Sequence, residues 1–321
     1  MFRCRGLILL RGTLVTERRV ESSEAGARLD ATLSQWLGVS RSALAKLWDS
    51  AQVRVNGQKA QRSRVLSEGD RVAFTSVAPK ELEATAEDAS LPVIYRDDDV
   101  VVVDKPAGMA AHTAPGYDGA TVVGALLGMG IDPHTTGDQY RRGIVHRLDA
   151  DTSGLMVVAL NERSYQDLIG QFKARTVEKT YLTVAQGHLA EELGRIEAPI
   201  GRARKGGKMA VRPDGRPATT IYEVERRLRG ADLLRVQLLT GRTHQIRVHL
   251  AWMRHPCVGD ALYGADPTLV PNLRRQWLHA ATLSFESGGQ RMTFESPIPA
   301  DLATALAALE ATDEGWGGGG W

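Results

Sequence analysis

The chain has 321 residues, a hydrophobic share of 43%, a charged share of 24% and a formal net charge of +2. These are the proportions of an ordinary globular protein of about two domains, and they exclude a fibrous or wholly disordered chain. Two cysteines, Cys4 and Cys257, and eight scattered histidines exclude a disulfide scaffold and offer no ligand-spaced metal set.

The charge is unevenly placed. Residues 1–80 carry fourteen Lys or Arg against seven acids, and residues 81–100 carry seven acids against one Arg. A basic first domain followed by an acidic hinge suits a polyanionic partner. The run Leu7-Ile8-Leu9-Leu10 meets Arg11, so it is too short for a signal-peptide core. No stretch approaches the roughly 18–20 apolar residues of a membrane span, and a cytoplasmic protein with no membrane partner is expected.

In chain order, residues 1–25 show no periodicity and read as an N-terminal extension. Leu29, Leu33, Trp36 and Leu37 fall on one helical stripe. Ser40 is a candidate N-cap for a second helix facing inward through Leu44, Leu47 and Trp48. Val53-Arg54-Val55 alternates and meets Asn56-Gly57, a hairpin signal, and a strand over 71–74 follows the turn Glu68-Gly69-Asp70. Residues 77–91, rich in Ala, Glu, Pro and Thr, read as a linker.

The β-branched run at 100–103 suggests a strand buried on both faces, turned by Lys105-Pro106-Ala107-Gly108. Ile144-Val145 leads into the polar stretch 146–154, and a second apolar run, 155–160, follows at once. Tyr165, Leu168, Ile169 and Phe172 mark an amphipathic helix, and residues 181–185 a returning strand. Residues 201–216 are dense in Lys, Arg and Gly with the single acid Asp214, and read as a mobile basic loop. Thr243 can cap a helix that shows Ile246, His249, Leu250 and Met253 on one face and stops before Pro256, with Arg242 at its mouth. The Gly-rich residues 311–321 read as a disordered tail.

The polar stretch carries the chemistry. A carboxylate squeezed between two core strands is costly unless partnered, and Arg147 lies two residues from Asp149. An Asp beside an Arg stays ionised and oriented, as a nucleophile or base must, although a structural ion pair at a strand end gives the same pattern. His146 reads as a packed histidine.

His-Arg-Leu-Asp at 146–149 followed by Thr152-Ser153-Gly154 resembles the signature of the RluA/RluD family of pseudouridine synthases, which isomerise uridine in RNA. Three further segments match in the family's order: Val102-Val103-Asp104-Lys105-Pro106-Ala107-Gly108, Glu178-Lys179-Thr180-Tyr181-Leu182, and residues 240–250 running on to His255-Pro256 and Val258-Gly259-Asp260. The first domain is similar to the S4 RNA-binding module through Arg28-Leu29-Asp30, Ser40-Arg41, residues 53–57 and Gly69-Asp70.

The resemblance implies an α+β protein: an S4-like domain over 26–76 joined to a catalytic domain over 92–310, built on a mixed, mainly antiparallel sheet flanked by helices and loops. It implies Asp149 as the catalytic carboxylate, whether nucleophile at C1′ or base toward C2′, and Tyr181 stacked on the uracil. Arg242 would pair with Asp149, and Arg147 would contact RNA or fill the gap left by a flipped base. RNA would be gripped by Arg28, Arg41, Lys46 and Arg54 in the first domain, and by Arg202, Arg204, Lys205 and Lys208 in the basic loop. No cofactor and no metal is expected, because the isomerisation changes no redox state and transfers no external group. The expected partner is large-subunit ribosomal RNA or a ribosomal precursor particle, bound by a monomer. Transfer RNA, a non-catalytic S4-type assembly factor and a nucleoside glycosidase are the alternatives; the last would need two carboxylates flanking the sugar.

Overall fold

The computed structural model describes residues 7–10, 13–37, 44, 48, 52–75, 84–113, 117–134, 141–203 and 208–310. The chain divides into two compact units, Met1–Glu81 and Leu82–Trp321.

In the first unit, β1 (Leu7–Leu10), β2 (Thr13–Arg19), β3 (Arg54–Val55), β4 (Gln58–Lys59) and β5 (Arg71–Thr75) form an antiparallel sheet of order β1-β2-β5-β3-β4. Helix α1 (Leu29–Leu37) seats fully buried Leu29 and Leu33 in a core with Val55, Leu66, Val72 and Phe74. Asn56 and Gly57 turn the short hairpin with φ of 52° and 82°, left-handed values that Asn and Gly tolerate. The N-terminal extension expected over 1–25 is overturned in part. β2 pairs with β5 from Val15 opposite Thr75 to Arg19 opposite Arg71. It is paired on both sides, with β1 and β5, through main-chain hydrogen bonds, which require no amphipathic pattern to announce it. Of the expected second helix, Leu44 and Trp48 are described and buried. Arg41 and Lys46 lie outside the described residues.

In the second unit, nine strands share one sheet: β6 (Val93–Arg96), β7 (Val100–Lys105), β8 (Ser153–Ala159), β9 (Glu178–Gln186), β10 (Leu193–Glu197), β13 (Thr219–Leu228), β14 (Ala231–Leu238), β15 (Leu278–Ser287) and β16 (Gln290–Glu295). The order is β10-β13-β14-β9-β15-β8-β7-β6, with β16 also on β15; the β15–β8 pair is parallel and the others antiparallel. The mixed, mainly antiparallel expectation is met. Residues 100–103 are fully buried because alternate side chains enter different cores: Val101 and Val103 one, Val100 and Val102 the other. Gly154 lets β8 run against β15, since a Cβ there would lie 2.3 Å from the Ala280 carbonyl oxygen.

Four α-helices, α2 (Val122–Gly128), α3 (Glu162–Ala174), α4 (Gln245–Trp252) and α5 (Ala300–Glu310), and a 3-10 turn at Ala261–Tyr263 belong to the described part of this unit. Leu302, Leu306 and Leu309 of α5 pack with Trp277 on one sheet face, while Ile246 and Leu250 of α4 pack with Tyr181, Leu148 and Leu234 on the other. The latter face carries the site.

Three further expectations change. The linker reading over 77–91 fails for its second half: Leu91 is buried, and the Glu87 carboxylate accepts from the Thr121 backbone N–H at 2.7 Å, where α2 begins. The basic loop is flanked by paired strands, β11 (Ile200–Arg202) and β12 (Met209–Val211). The N-cap position of α4 is His244, not Thr243, and it makes no side-chain cap hydrogen bond; the Gln245 Oε1 instead closes the preceding turn by accepting from the Arg242 N–H at 3.0 Å. Residues 311–321 lie outside the described residues.

Candidate active site

The loop 146–152 leads into β8, and its backbone is held from several directions. Lys105, fully buried at the end of β7, donates its Nζ protons to the carbonyls of Pro106 (2.8 Å), Met109 (2.8 Å) and Ala150 (2.9 Å). Burial pushes this ammonium down to about 7, against the opposing charges of Asp151 and Asp149. Three carbonyls on three protons favour the ammonium form. Arg275, tied to Asp301 by two hydrogen bonds, donates Nη1 to the Asp151 carbonyl at 3.2 Å. The Gln276 amide reaches Thr152 Oγ1 at 3.1 Å.

The Asp149 carboxylate emerges from this cradle 17% exposed. Its partner is Arg247 of α4, whose Nη1 donates to Oδ2 at 3.1 Å. The same guanidinium grips Asp260 with Nε at 2.6 Å and Nη2 at 2.9 Å, and lies 5.1 Å above the Tyr263 ring. Burial opposes the charge on Arg247, but the bonds and charges of Asp260 and Asp149 outweigh it and raise its pKa. His244, one helical turn before Arg247, places Nε2 at 3.9 Å from the same Asp149 oxygen and shares a 2.9 Å hydrogen bond with the Tyr263 hydroxyl through Nδ1. Burial lowers its pKa.

The sequence reading named Arg242 as the partner of Asp149. Arg242 instead donates Nε to the Pro217 carbonyl at 3.0 Å. The fork of Arg247, fixed by buried Asp260, takes that place. Helical spacing could have found it: 244 and 247 are i, i+3 and share a face, whereas 242 precedes the helix. The early alternative of an Arg147–Asp149 ion pair also fails, since Arg147 is exposed and has no ion pair among the described residues.

Asp149, Tyr181, Arg147 and Arg242 nevertheless line one cleft of about 630 Å³. Tyr181 is 5% exposed, and burial together with the nearby Asp149 charge raises its pKa, so the phenol stays protonated at neutral pH. Lys179, two residues earlier on β9, lines the same cleft with Nζ 5.1 Å over the Phe172 ring; burial lowers it to about 8. His146 is packed as expected: its ring stacks on Phe172 at 4.8 Å, Nε2 accepts from the Val157 N–H at 3.1 Å, and burial lowers it to about 3.

Among the described residues, no group of three or more His, Cys, Asp or Glu could hold a metal ion, and no helix is long and apolar enough to cross a membrane. Of the expected RNA contacts, Arg28 is half exposed and holds Asp30 at 3.0 Å, and Arg54 donates to the Gly57 carbonyl at 3.1 Å. Arg202 and Lys208 are exposed at the ends of the basic hairpin, with Lys208 Nζ 5.7 Å over Tyr263. Arg204 and Lys205 lie outside the described residues.

The family model for RNA pseudouridylate synthase matches residues 99–252, which hold the loop, Tyr181 and Arg247. An uncharacterized RNA pseudouridine synthase of Mycobacterium bovis is 47% identical over 292 residues, covering 89% of this chain and 95% of that protein. The chain belongs to the RNA pseudouridine synthase family. The ribosomal large subunit pseudouridine synthase D of Xanthomonas campestris pv. campestris is 42% identical, covering 90% of this chain and 91% of the relative. Among solved structures, human RNA Pseudouridylate Synthase Domain Containing 1 superposes with a TM-score of 0.57 at 28% identity, covering 70% of this synthase and 91% of that chain.

Proposed function

We propose that this pseudouridine synthase isomerises uridine in large-subunit ribosomal RNA, with Asp149 as its catalytic carboxylate. The observation that carries the catalytic assignment is the placing of Asp149, steadied by Arg247, beside a neutral Tyr181 in a cleft of about 630 Å³. Converting uridine to its C-glycoside breaks N1–C1′, turns the uracil, joins C5 to C1′ and moves the C5 proton away. Asp149 acts at the sugar, as nucleophile at C1′ or base toward C2′. Tyr181 stacks on the extruded base and assists removal of the C5 proton. Exposed Arg147 at the cleft mouth contacts RNA or fills the gap in the stack. The ribosomal substrate rests on the synthase D relative. The first unit, read as S4-like, supplies phosphate contacts through Arg28, Arg41, Lys46 and Arg54, which strengthen binding without reading sequence.

Asp149→Asn preserves the shape of the side chain and removes its charge. The purified variant should bind RNA and yield no pseudouridine when ribosomal RNA from a deletion strain is treated with it and mapped by carbodiimide reverse transcription. Normal product would remove Asp149 from the mechanism. Pseudouridine missing only from transfer RNA in that strain would move the substrate.

A further inference from the structure

The cleft holds more positive charge than Asp149 can use. Arg175 lines it together with Arg147, Lys179 and Arg242, and Arg216, outside the lining, immediately precedes Pro217, whose carbonyl accepts from Arg242 Nε at 3.0 Å. Among the described residues, none of Arg147, Arg175, Arg216 and Arg242 has an ion pair. Glu178, the other acid of the lining, is engaged by Arg291 at 2.7 Å. Burial, then Arg216, then Arg175 depress the pKa of Arg242, so these guanidiniums repel one another with no carboxylate between them. A folded chain keeps such a group when an anion is to occupy it.

The backbone at Arg175 gives a second, independent observation. It is the C-terminal cap of α3, with φ 63° and ψ 32°, and its N–H closes the helix onto the carbonyls of Gln171 and Phe172. That left-handed position is one where glycine or asparagine sits without strain. An arginine there accepts backbone strain to present its side chain at the cleft edge. Arg254 is left-handed as well but lies outside the cleft lining, so strain alone marks no site.

We infer that Arg175, Arg216 and Arg242 form a subsite for a backbone phosphate of a nucleotide flanking the extruded uridine. The inference rests on the reading of this cleft as the RNA site. A phosphodiester brings the single delocalised charge and the acceptor oxygens that guanidinium forks fit. Arg242 is already aimed by its bond to the Pro217 carbonyl. A phosphate held beside the target would register the strand, so that the nucleotide reaching Asp149 is set by its distance along the backbone.

The test uses the full chain and an in vitro transcript of large-subunit ribosomal RNA labelled with [5-³H]uridine. Arg175→Gly removes the guanidinium and relieves the left-handed position, so folding is not endangered; Arg175→Lys restores charge, and Arg216→Gln removes the second member. Each neutral variant is expected to reduce the slope of log affinity against log salt by about 0.7, the value for one single-strand phosphate contact. KM in tritium release should rise roughly 10- to 150-fold at low salt with kcat within twofold, as for loss of one charged hydrogen bond, and Arg175→Lys should recover most of this. Unchanged slope and KM in Arg175→Gly, with wild type forming pseudouridine, would overturn the subsite alone. A lowered kcat at unchanged KM would also overturn it. If wild type releases no tritium yet Arg175→Gly flattens the salt slope, the phosphate subsite stands and the catalytic reading falls.

Discussion

Replacing Arg247 with Lys keeps the positive charge and removes the fork that lets one side chain hold two carboxylates. In the wild type, Nε and Nη2 serve Asp260 at 2.6 and 2.9 Å, and Nη1 serves Asp149 at 3.1 Å. A single ammonium cannot take all three places, and Asp260, whose side chain is 1% exposed, holds it because an unpaired buried carboxylate is the costlier outcome. Asp149 then loses its oriented partner. A hydrogen bond to a charged group is worth about 1.5–3 kcal/mol. At about 1.4 kcal/mol per tenfold, kcat should fall roughly 10- to 150-fold. Single-turnover tritium release from [5-³H]uridine-labelled RNA measures it, with thermal melting to show that the fold persists. Arg242→Lys is the comparison: it leaves Asp149 untouched, so its effect should fall on KM. A kcat within twofold of wild type for Arg247→Lys, or a collapse of kcat for Arg242→Lys, would refute the assignment of Arg247 as the orienting group.

Tyr181→Phe keeps the buried ring and removes the hydroxyl; it should melt within about 2 °C of wild type while kcat falls at least about tenfold, and normal turnover would confine Tyr181 to stacking. Gly154→Ala should cost about 3 kcal/mol, lowering the melting temperature by roughly 6–12 °C, because the new Cβ meets the Ala280 carbonyl oxygen at 2.3 Å and its nitrogen at 2.6 Å. A melting curve matching wild type would show that β8 and β15 can separate there. His146 is held neutral in the folded protein down to about 3, whereas in the unfolded chain it gains a proton near 6.5. Stability should therefore fall as pH drops through 6.5, by about 2 kcal/mol at pH 5. His146→Gln, which retains an acceptor for the Val157 N–H, should flatten the melting profile between pH 7.5 and 5; parallel profiles would assign the acid sensitivity elsewhere.

Local pattern carried some of these features and not others. The run at 100–103 could be read as a doubly buried strand because both of its faces enter apolar cores, and residues 56–57 as a turn because left-handed backbone narrows the choice of residue. Asp149 was legible because, of the two carboxylates wedged between core strands, it is the one that follows Arg147 in the His-Arg-Leu-Asp signature. Its partner was not, since Arg147 is near in sequence but faces solvent, and Arg247 comes from a helix 98 residues away. Lys105 looked like a turn residue because nothing local shows that its ammonium ends among three carbonyls. β2 stayed hidden for a different reason: it is held between β1 and β5 by main-chain pairing, which leaves little trace in side-chain order.

The anchoring of the loop at 146–152 has a consequence for the timing of biosynthesis. One tether, Lys105, is made early; the other, Arg275, is made late and is itself clamped by Asp301 on the last described helix. A nascent polypeptide that has emerged through β14 already carries its acid but lacks half the moorings that aim it. The loop is therefore fully moored only once residues 275 and 301 have been made and packed, so a product cut short before them would hold Asp149 on a looser loop.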